Sequence, residues 1–264
     1  MSSPTTGVVF RPQCPPEQLR DAVRAAEDAG VAELWLWEDC FFEGSMSAAA
    51  AALAWSDRLA VGIGLVPVPL RNAALTAMEL ATVARMFPGR FLPGLGHGVL
   101  DWMAQVGARA ASPMTLLREQ TTAIRALLGG ETVTTSGKHV QLDAVALDWP
   151  PPQPPPLLVG GRGPKTLRLA GELADGVILD VDQTPEGVRR QLASVQQGRE
   201  AAGRADGPFR AVVYVEADPT ATDLSAQMAR RAAELGGVGA TSVVFQPPGV
   251  APDPRPLIEA LMRS

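Results

Sequence analysis

Three glycines and two cations follow a short apolar run near the middle of the chain. Leu157-Leu158-Val159 leads into the turn Gly160-Gly161-Arg162-Gly163, which is followed by Pro164 and Lys165. Glycine lets the backbone turn sharply and approach a ligand closely, and proline suits the first position of a helix. Free amides at a helix N-terminus attract anions, and no acidic residue stands near the two cations in the sequence. The pattern predicts a phosphate site; the alternative is a tight strand-to-helix turn without a ligand.

The turn belongs to neither of the two common nucleotide-binding motifs. It has no spaced Gly-Lys-Ser/Thr, as a Walker loop would, and no GxGxxG, as a dinucleotide-binding fold would.

Three titratable side chains are candidates for proton transfer. Glu38 and Asp39 follow the apolar run ELWLW, and burial among aromatic rings raises the pKa of a carboxyl group towards neutrality. The alternative is that one of them caps the next segment or pairs with Arg11. His97, between Gly96 and Gly98, can titrate near pH 7, so it is a hydrogen-bond donor to a cofactor, an acid–base group or a structural histidine.

For most other side chains near these candidates, a structural role is the simpler interpretation. We expect Cys40 to be a buried, inert thiol, although a reactive one would also fit beside two acids. Trp35 and Trp37, at alternating strand positions, are expected in the barrel core, whereas Phe41 and Phe42 could line an apolar cleft. His139 is expected at the surface. The cysteines Cys14 and Cys40 have no metal-ligand spacing, so no metal site is predicted.

Strands and helices alternate along most of the chain. Short apolar strands are predicted at eight places: 7–10, 33–37, 59–66, 90–95, 157–159, 176–179, 209–215 and 241–245. This alternation predicts an α/β fold, a (β/α)8 TIM barrel, with a doubly wound sheet as the alternative. The carboxyl ends of barrel strands face one mouth. We therefore expect a common pocket formed by the following residues: Phe10, Arg11, Glu38, Asp39, Cys40, Leu65, Val66, His97, Gly160 to Gly163, Asp180 to Asp182 and Gln246.

One segment departs from the alternation. Residues 99–154 are predicted to be an insertion between strands 4 and 5 of a single domain, 1–264, with a helix from Pro113 to Leu128 and a hairpin over 132–142. Earlier in the chain, Asn72 is expected to cap a helix. Four side chains of that helix are predicted to face inward: Leu75, Met78, Val83 and Met86.

Composition limits the classes of function. The chain has 264 residues, 46% hydrophobic and 19% charged, with a net charge of −5 and no basic block, so we expect no nucleic-acid partner. Residues 1–7 are polar and lack the pattern of a secretory signal, and the alanine-rich run 48–55 is too short to span a bilayer. Two cysteines without such a signal favour the reducing cytoplasm.

Several segments together resemble the luciferase-like flavin and deazaflavin oxidoreductases, and among these the coenzyme F420-dependent branch that includes methylenetetrahydromethanopterin reductases. The matching segments are GVAELWLWED (30–39), VGIGLVPVPLRNAALTAMELATVARMFPGRFLPGLGHG (61–98), WMAQVGA (102–108), LLREQTTAIRALLGGETVTTSGKHVQL (116–142) and PPLLVGGRGPKTLRLAGELADGVIL (155–179). Each is weak alone, but their order and spacing cover most of the chain up to Asp180.

The resemblance implies where a cofactor would lie. The ring of F420, or of FMN as the alternative, is expected in the barrel mouth against a bulge of the third strand, where Gly64-Leu65 matches a non-proline cis peptide of relatives. The turn around Gly96, His97 and Gly98 matches a second loop that contacts the cofactor. The phosphate is expected on the first turn described above: Gly160, Gly161, Arg162, Gly163 and Lys165. The form RGPK is similar to that of the F420 branch.

The sequence also departs from the family. Many relatives have Asp-His after the second strand, and here the pair is Asp39-Cys40, so a histidine cannot act at that position. The acidic residue that the reductase branch has after the first strand is missing from Phe10-Arg11-Pro12-Gln13, which disfavours tetrahydromethanopterin as substrate.

These features predict an F420-dependent oxidoreductase that transfers a hydride between the deazaflavin and a small organic substrate. The alternatives are an FMN-dependent monooxygenase and a non-catalytic protein that binds a cofactor. The resemblance also implies a homodimer.

Overall fold

A closed barrel of eight parallel strands lies at the centre of the computed structural model, which describes residues 3–262. The strands are β1 (Thr5–Phe10), β2 (Glu33–Leu36), β3 (Ala60–Pro67), β4 (Phe91–Gly96), β7 (Leu158–Gly160), β8 (Gly176–Leu179), β9 (Arg210–Glu216) and β10 (Ser242–Gln246). Around the barrel they follow the order β1-β10-β9-β8-β7-β4-β3-β2. The predicted TIM barrel is confirmed, and the single domain over 1–264 stays a prediction.

Helices cover the outside of the barrel. They are α1 (Leu19–Asp28), α2 (Ser45–Ala54), α3 (Ala73–Met86), α6 (Pro164–Leu173), α7 (Pro185–Ala201), α8 (Leu224–Gly236) and α9 (Arg255–Met262). The helix α1, for example, buries an apolar stripe that includes Leu19, Val23 and Ala26. Within residues 3–262, no helix combines the length and the apolar character needed to cross a membrane. Residues 1 and 2 of the polar start lie outside the described part of the chain.

The insertion between the fourth and fifth barrel strands contains the predicted helix and hairpin, together with a short helix, α4 (Leu100–Gln105), that was not predicted. The predicted elements are α5 (Pro113–Leu128) and an antiparallel hairpin of β5 (Val133–Ser136) and β6 (Gln141–Val145). Glu119 of α5 holds the hairpin turn, because its carboxylate accepts hydrogen bonds from the backbone N–H groups of Lys138, His139 and Val140 at 2.9, 2.7 and 2.9 Å. The insertion therefore packs on the barrel through its helix.

The face that α3 turns to the barrel differs from the prediction. Asn72 caps the helix as expected, accepting a hydrogen bond from the N–H of Ala74. Of the four side chains predicted inward only Val83 is buried, whereas Leu75, Met78 and Met86 are 47%, 56% and 62% exposed. The buried positions are mostly small: Ala73, Thr76, Ala77, Leu80, Ala81, Val83 and Ala84. Apolar residues occupy nearly every face of α3, so hydrophobicity alone does not select the inner face; the small side chains let the helix pack closely.

A buried carboxylate joins four strands at the amino-terminal end of the barrel. Glu33 begins β2 and is only 2% exposed. Its oxygens accept hydrogen bonds from Arg210 at 2.8 Å, Trp35 Nε1 at 2.9 Å and the hydroxyl groups of Thr5 and Ser242 at 2.8 and 2.6 Å. These partners lie on β9, β2, β1 and β10. A buried charge that is fully hydrogen-bonded is tolerated, but removing it leaves its donors unpaired.

Replacing this carboxylate should destabilise the barrel strongly. We expect Glu33→Ala to lower the free energy of unfolding by about 3 to 5 kcal/mol, because the Arg210 charge and three donors lose their acceptor. Urea unfolding measures the change. The control is Glu234→Ala, which removes an exposed ion pair with Arg231 and should cost no more than about 1 kcal/mol. A loss no larger for Glu33→Ala than for the control would contradict the structural role.

Candidate functional site

A cavity of about 830 Å³ opens at the carboxyl ends of the barrel strands. Its wall is formed by Trp37, Glu38, Asp39, Gly64, Leu65, Pro67, His97, Gly98, Val99, Leu100, Asp101, Trp102, Gly160, Gly161, Arg162, Gly163, Thr166, Ile178, Asp180, Tyr214 and Gln246. The insertion contributes Val99 to Trp102 and leaves the mouth open. Active sites of TIM barrels lie at this end, and no other described cavity brings together the predicted site residues.

Most predicted site residues share this wall, and several do not. Eight predicted residues are outside it: Phe10, Arg11, Cys40, Val66, Gly96, Lys165, Val181 and Asp182. Trp37, which was expected in the core, lies on the wall instead. Lys165 is exposed on the first turn of α6. Phe41 and Phe42, which were expected to line a cleft, are 64% and 55% exposed and also lie outside it. His139 is half-buried in the insertion rather than at the surface.

The glycines of the wall are required partly by protein packing. A Cβ on Gly96 would lie 2.3 Å from Cδ2 of Leu65, and a Cβ on Gly160 would lie 2.5 Å from the same atom. A Cβ on Gly161 would lie 2.6 Å from Cγ2 of Thr166. Gly163 has nothing within 4 Å of that position, so the start of α6 is open to the cavity. The structural interpretation of the turn therefore holds for Gly160 and Gly161, while Gly163 leaves room for a ligand.

The third barrel strand has the irregularity that the resemblance implied. The register of β3 against β4 shifts between Ile63 and Val66. The peptide bond Gly64-Leu65 within this bulge is cis, as expected, and a second non-proline cis peptide, Cys40-Phe41, was not predicted. Gly64 and Leu65 both face the cavity.

Arg162 has a partner that the sequence interpretation missed. Its Nε lies 3.0 Å from Oδ2 of Asp180, and its Nη2 also donates to that carboxylate. This pairing raises the pKa of the Arg162 guanidinium, chiefly through the hydrogen bonds with Asp180. The expectation that no anion competes near the turn is therefore wrong. Asp180 ends β8, next to β7, so strand pairing brings the two together across 18 residues of sequence. Nη1 of Arg162 has no hydrogen-bond partner in residues 3–262.

Glu38 is engaged on both oxygens. It forms an ion pair with Arg71, whose Nη2 lies 3.1 Å from Oε2, and it accepts hydrogen bonds from the backbone N–H and the hydroxyl of Ser45. Ser45 begins α2, so Glu38 caps that helix, one of the alternatives left open by the sequence. The partner is Arg71 rather than Arg11. Glu38 is thus positioned to orient the loop after β2.

Asp39 differs from its neighbour in having a free carboxyl group. Its side chain has no hydrogen-bond or ion-pair partner among the described residues. Burial raises the pKa of this carboxyl, and the positive charge of Arg11 partly offsets the rise. Arg11 is held outside the cavity wall, with Nη1 2.9 Å from the carbonyl oxygen of Pro247 and its guanidinium 4.9 Å from the centre of a Trp37 ring. Asp39 can therefore carry a proton at higher pH than an ordinary aspartate.

His97 stands on the opposite side of the cavity in a defined hydrogen-bonded chain. Its Nε2 lies 3.2 Å from Oγ1 of Thr166, and that hydroxyl donates to Sδ of Met114 at 3.4 Å. The Thr166 hydroxyl has one proton, so when it donates to Met114 it accepts from Nε2–H, and in that arrangement Nδ1 is an acceptor. Nδ1 is buried without a partner, and burial lowers the pKa of His97. The ring is suited to accept a hydrogen bond from a bound molecule.

Tyr214 is a member of the wall that sequence reasoning missed. It lies on β9, is 2% exposed, and its hydroxyl has no hydrogen bond of normal geometry. Burial raises the pKa of this phenol well above its ordinary value of 10.0. Trp37 Nε1 and Gln246 Oε1 on the same wall also lack partners. The sequence signal that could have identified Tyr214 is its inward position on a barrel strand, two residues before that strand ends at Glu216.

Neither thiol is activated. Cys14 and Cys40 are both free, and burial raises the pKa of each, with Glu38 and Asp39 adding to the effect at Cys40. Cys40 is half-buried, less than expected, but it stays protonated at neutral pH. In the described part of the chain, no three His, Cys, Asp or Glu side chains are grouped as metal ligands would be.

Comparison with known proteins accounts for this arrangement. A family model described as luciferase-like monooxygenase matches residues 3–251. The chain belongs to the luciferase-like monooxygenase family. The resemblance seen in the sequence and the expectation of an enzyme family are both confirmed.

Two enzymes are similar in sequence to the chain, and one of them is named for F420. A 5,10-methylenetetrahydromethanopterin reductase of Methanolobus tindarius is 28% identical over 200 residues, which are 76% of this chain and 61% of the relative. An F420-dependent glucose-6-phosphate dehydrogenase of Nakamurella multipartita is 28% identical over 72% of this chain and 60% of the relative. The chain thus spans about three fifths of the length of these two enzymes.

A solved structure has the same fold. An F420-dependent secondary alcohol dehydrogenase, in complex with an F420-acetone adduct, superposes with a TM-score of 0.84 at 17% identity. The match covers 98% of this chain and 99% of that one, so the whole barrel and its insertion have counterparts.

The site predicts a neutral His97 in one tautomer. We expect its NMR titration to give a pKa below 6.5, because burial disfavours the imidazolium ion, with the proton on Nε2 at pH 7. The unfolded chain then binds more protons than the folded one as pH falls below about 6.5, so stability declines there, and less so in His97→Gln. The same variant assigns the resonance, since His139 is the only other histidine. A pKa at or above 6.5 would contradict the assignment.

Proposed function

We propose that the protein is an F420-dependent oxidoreductase that transfers a hydride between the deazaflavin and a small organic molecule in the barrel cavity. One observation carries the proposal: the glycine turn, the β3 bulge and the loop at His97 all line one cavity, in a chain whose similar relatives include enzymes named for F420. When bound, such a cofactor supplies two electrons and a proton as a hydride.

The residues fit a flavin-type cofactor with a phosphate group. The cavity of about 830 Å³ has room for a ring system, and at Gly163 no protein atom lies within 4 Å of the position that a Cβ would take. His97 Nδ1 is a buried acceptor without a partner. No side chain caps the start of α6, so its first amide groups remain available to an anion. Nη1 of Arg162 and the exposed Lys165 add positive charge at the same place.

The three acid–base candidates have separate roles in this proposal. Asp39 exchanges the proton that accompanies hydride transfer, since its carboxyl is free and burial raises its pKa. Glu38 orients the loop that bears Asp39 through Arg71 and Ser45. His97 accepts a hydrogen bond from the cofactor and holds it against Gly64-Leu65.

An FMN-dependent monooxygenase is the second candidate, and the family description favours it. Both candidates use the same glycine turn. The third possibility, a protein that binds a cofactor without catalysis, receives less support, because the insertion leaves the cavity open.

The homodimer and the cytoplasmic location stay predictions. Exposed Leu75, Met78 and Met86 on α3 would gain from being covered in a dimer. Two free thiols suit a reducing compartment.

Removing the two cations of the turn should weaken F420 binding. We expect the double variant Arg162→Ala, Lys165→Ala to bind F420 about tenfold to a hundredfold less tightly, because charge-assisted hydrogen bonds to a phosphate are lost. Fluorescence titration measures the affinity.

A matched pair controls for the loss of two charges. The control double variant, Arg168→Ala with Lys138→Ala, also removes two positive charges. Arg168 lies on α6 and Lys138 in the hairpin turn, and both are outside the cavity wall. It should leave the affinity within about twofold, which is roughly 0.4 kcal/mol. Equal affinities of the two double variants would remove Arg162 and Lys165 from the phosphate site.

Asp39→Asn should slow turnover without preventing cofactor binding. We expect the rate at which reduced F420 is oxidised by a panel of carbonyl compounds and imines to fall about a hundredfold or more, because the proton donor is lost. In the wild type that rate should decline as pH rises through the raised pKa of Asp39, and the variant should lack this decline. Asp143→Asn, on the exposed face of β6, is the control. A decline of the same shape in both variants would assign the proton to another group.

A further inference from the structure

The order of strands divides the cavity into two walls. We call the glycine wall Gly64, Gly98, Gly160, Gly161 and Gly163, which belong to β3, β4 and β7 and to the loops that follow β4 and β7. These three strands are consecutive around the barrel. The aromatic wall is Trp37, Asp39, Tyr214 and Gln246, at the ends of β2, β9 and β10, which with β1 form the opposite arc. If the cofactor lies on the glycine wall, as the proposed function requires, the aromatic wall faces the substrate.

The hydroxyl of Tyr214 lies where the two walls meet. A Cβ on Gly64 would be 1.8 Å from this hydroxyl oxygen, so the phenol reaches the bulge of β3. Trp35 packs edge-on against its ring at 5.8 Å between centroids, and Trp37 packs at 5.6 Å. The two indoles fix the ring, and its hydroxyl lies against Gly64 on the cavity wall. The indole N–H of Trp37 can only donate to this oxygen, so the hydroxyl proton stays available to a bound group. A buried hydroxyl whose proton has no acceptor costs free energy unless a bound group accepts a hydrogen bond from it.

The charges of the lining residues limit what that group can be. Among the residues that line the cavity, the only lysine or arginine is Arg162, and Asp180 already pairs with it. No cation belongs to the aromatic wall: Arg11 stacks on Trp37, but it lies outside the cavity wall and donates to the carbonyl oxygen of Pro247. Asp39 would repel an anion whenever it is ionised. A phosphate or carboxylate placed there would lose its hydration without gaining a counter-charge. An uncharged oxygen, by contrast, can accept from Tyr214 and can donate, as a hydroxyl, to the unpaired Oε1 of Gln246.

We propose that Tyr214 is a substrate-binding residue whose hydroxyl donates a hydrogen bond to the oxygen of an uncharged alcohol or carbonyl compound. This inference rests on the proposed function, since it assigns the aromatic wall to the substrate only after the glycine wall is given to the cofactor. It selects a neutral alcohol and carbonyl pair over phosphorylated or carboxylated substrates. The phenol remains a donor throughout the neutral pH range, because burial keeps it protonated.

A single tyrosine makes this contact directly observable. The chain has one tyrosine, so protein labelled with ¹³C at the tyrosine Cζ gives one resonance, which the labelled Tyr214→Phe variant lacks. The probes are propan-2-ol, acetone and cyclohexanone, with cyclohexanecarboxylate and glucose 6-phosphate as anionic counterparts. Each is added to protein already saturated with F420. We expect at least one uncharged probe to shift the resonance in a saturable way and the anionic probes to leave it unchanged.

Affinity measurements separate binding from a change in packing. Tyr214→Phe removes only the hydroxyl and should weaken that uncharged probe about five- to tenfold, while the affinity for F420 stays within about twofold. The matched control is Thr121→Val, which removes another buried, unpaired hydroxyl, on α5 and outside the cavity wall. It should change neither affinity.

The outcomes distinguish this inference from the proposed function. Failure of F420 to bind the wild type would overturn the function before any probe is added. If F420 binds and no uncharged probe moves the resonance, or an anionic probe moves it equally, the substrate class is wrong. A loss of F420 affinity in Tyr214→Phe that exceeds the loss of probe affinity would assign Tyr214 to the cofactor instead.

Discussion

The side chain of Leu65 occupies space that only glycine leaves open on two neighbouring strands. Its Cδ2 lies where a Cβ of Gly96 on β4 or of Gly160 on β7 would clash. The bulge of β3 turns Leu65 into the mouth, and the glycines beside it let three strands close around one apolar side chain. This packing fixes the backbone that leads into the glycine turn and α6. The shape of the candidate cofactor wall therefore depends on steric fit between strands and does not require a bound ligand.

Several charged side chains near the mouth form ion pairs, whereas Asp39 and His97 form none among residues 3–262. Arg71 neutralises Glu38, and Asp180 pairs with Arg162. Asp39 and His97 have no such counter-charge, and burial moves their pKa values in opposite directions, each towards the uncharged form. Acid and base groups whose pKa values are shifted towards the uncharged form suit proton exchange with an uncharged molecule more than electrostatic capture of an ion.

Local sequence predicted the elements, and long-range pairing decided the details of the site. The bounds of α5 and β8 follow from local signals, since Pro113 starts one and Gly176 the other. The prediction of the inner face of α3 was wrong. Apolar residues lie on nearly every face of that helix, and only close packing against the barrel selects its alanines. The ion pair of Asp180 with Arg162 and the position of Tyr214 in the wall depend on strand neighbours, which no local pattern encodes. The cis peptide Gly64-Leu65 was predicted from the family resemblance, whereas nothing in the sequence predicted the cis peptide Cys40-Phe41.

The most direct test of the account is a side-by-side equilibrium titration of the purified protein with F420 and with FMN, followed by fluorescence and by the midpoint of thermal unfolding. The account predicts micromolar or tighter binding of F420, a higher unfolding temperature with F420, and much weaker binding of FMN. Tighter binding of FMN would contradict the deazaflavin assignment and favour the monooxygenase. Binding of neither would contradict a cofactor site at the barrel mouth.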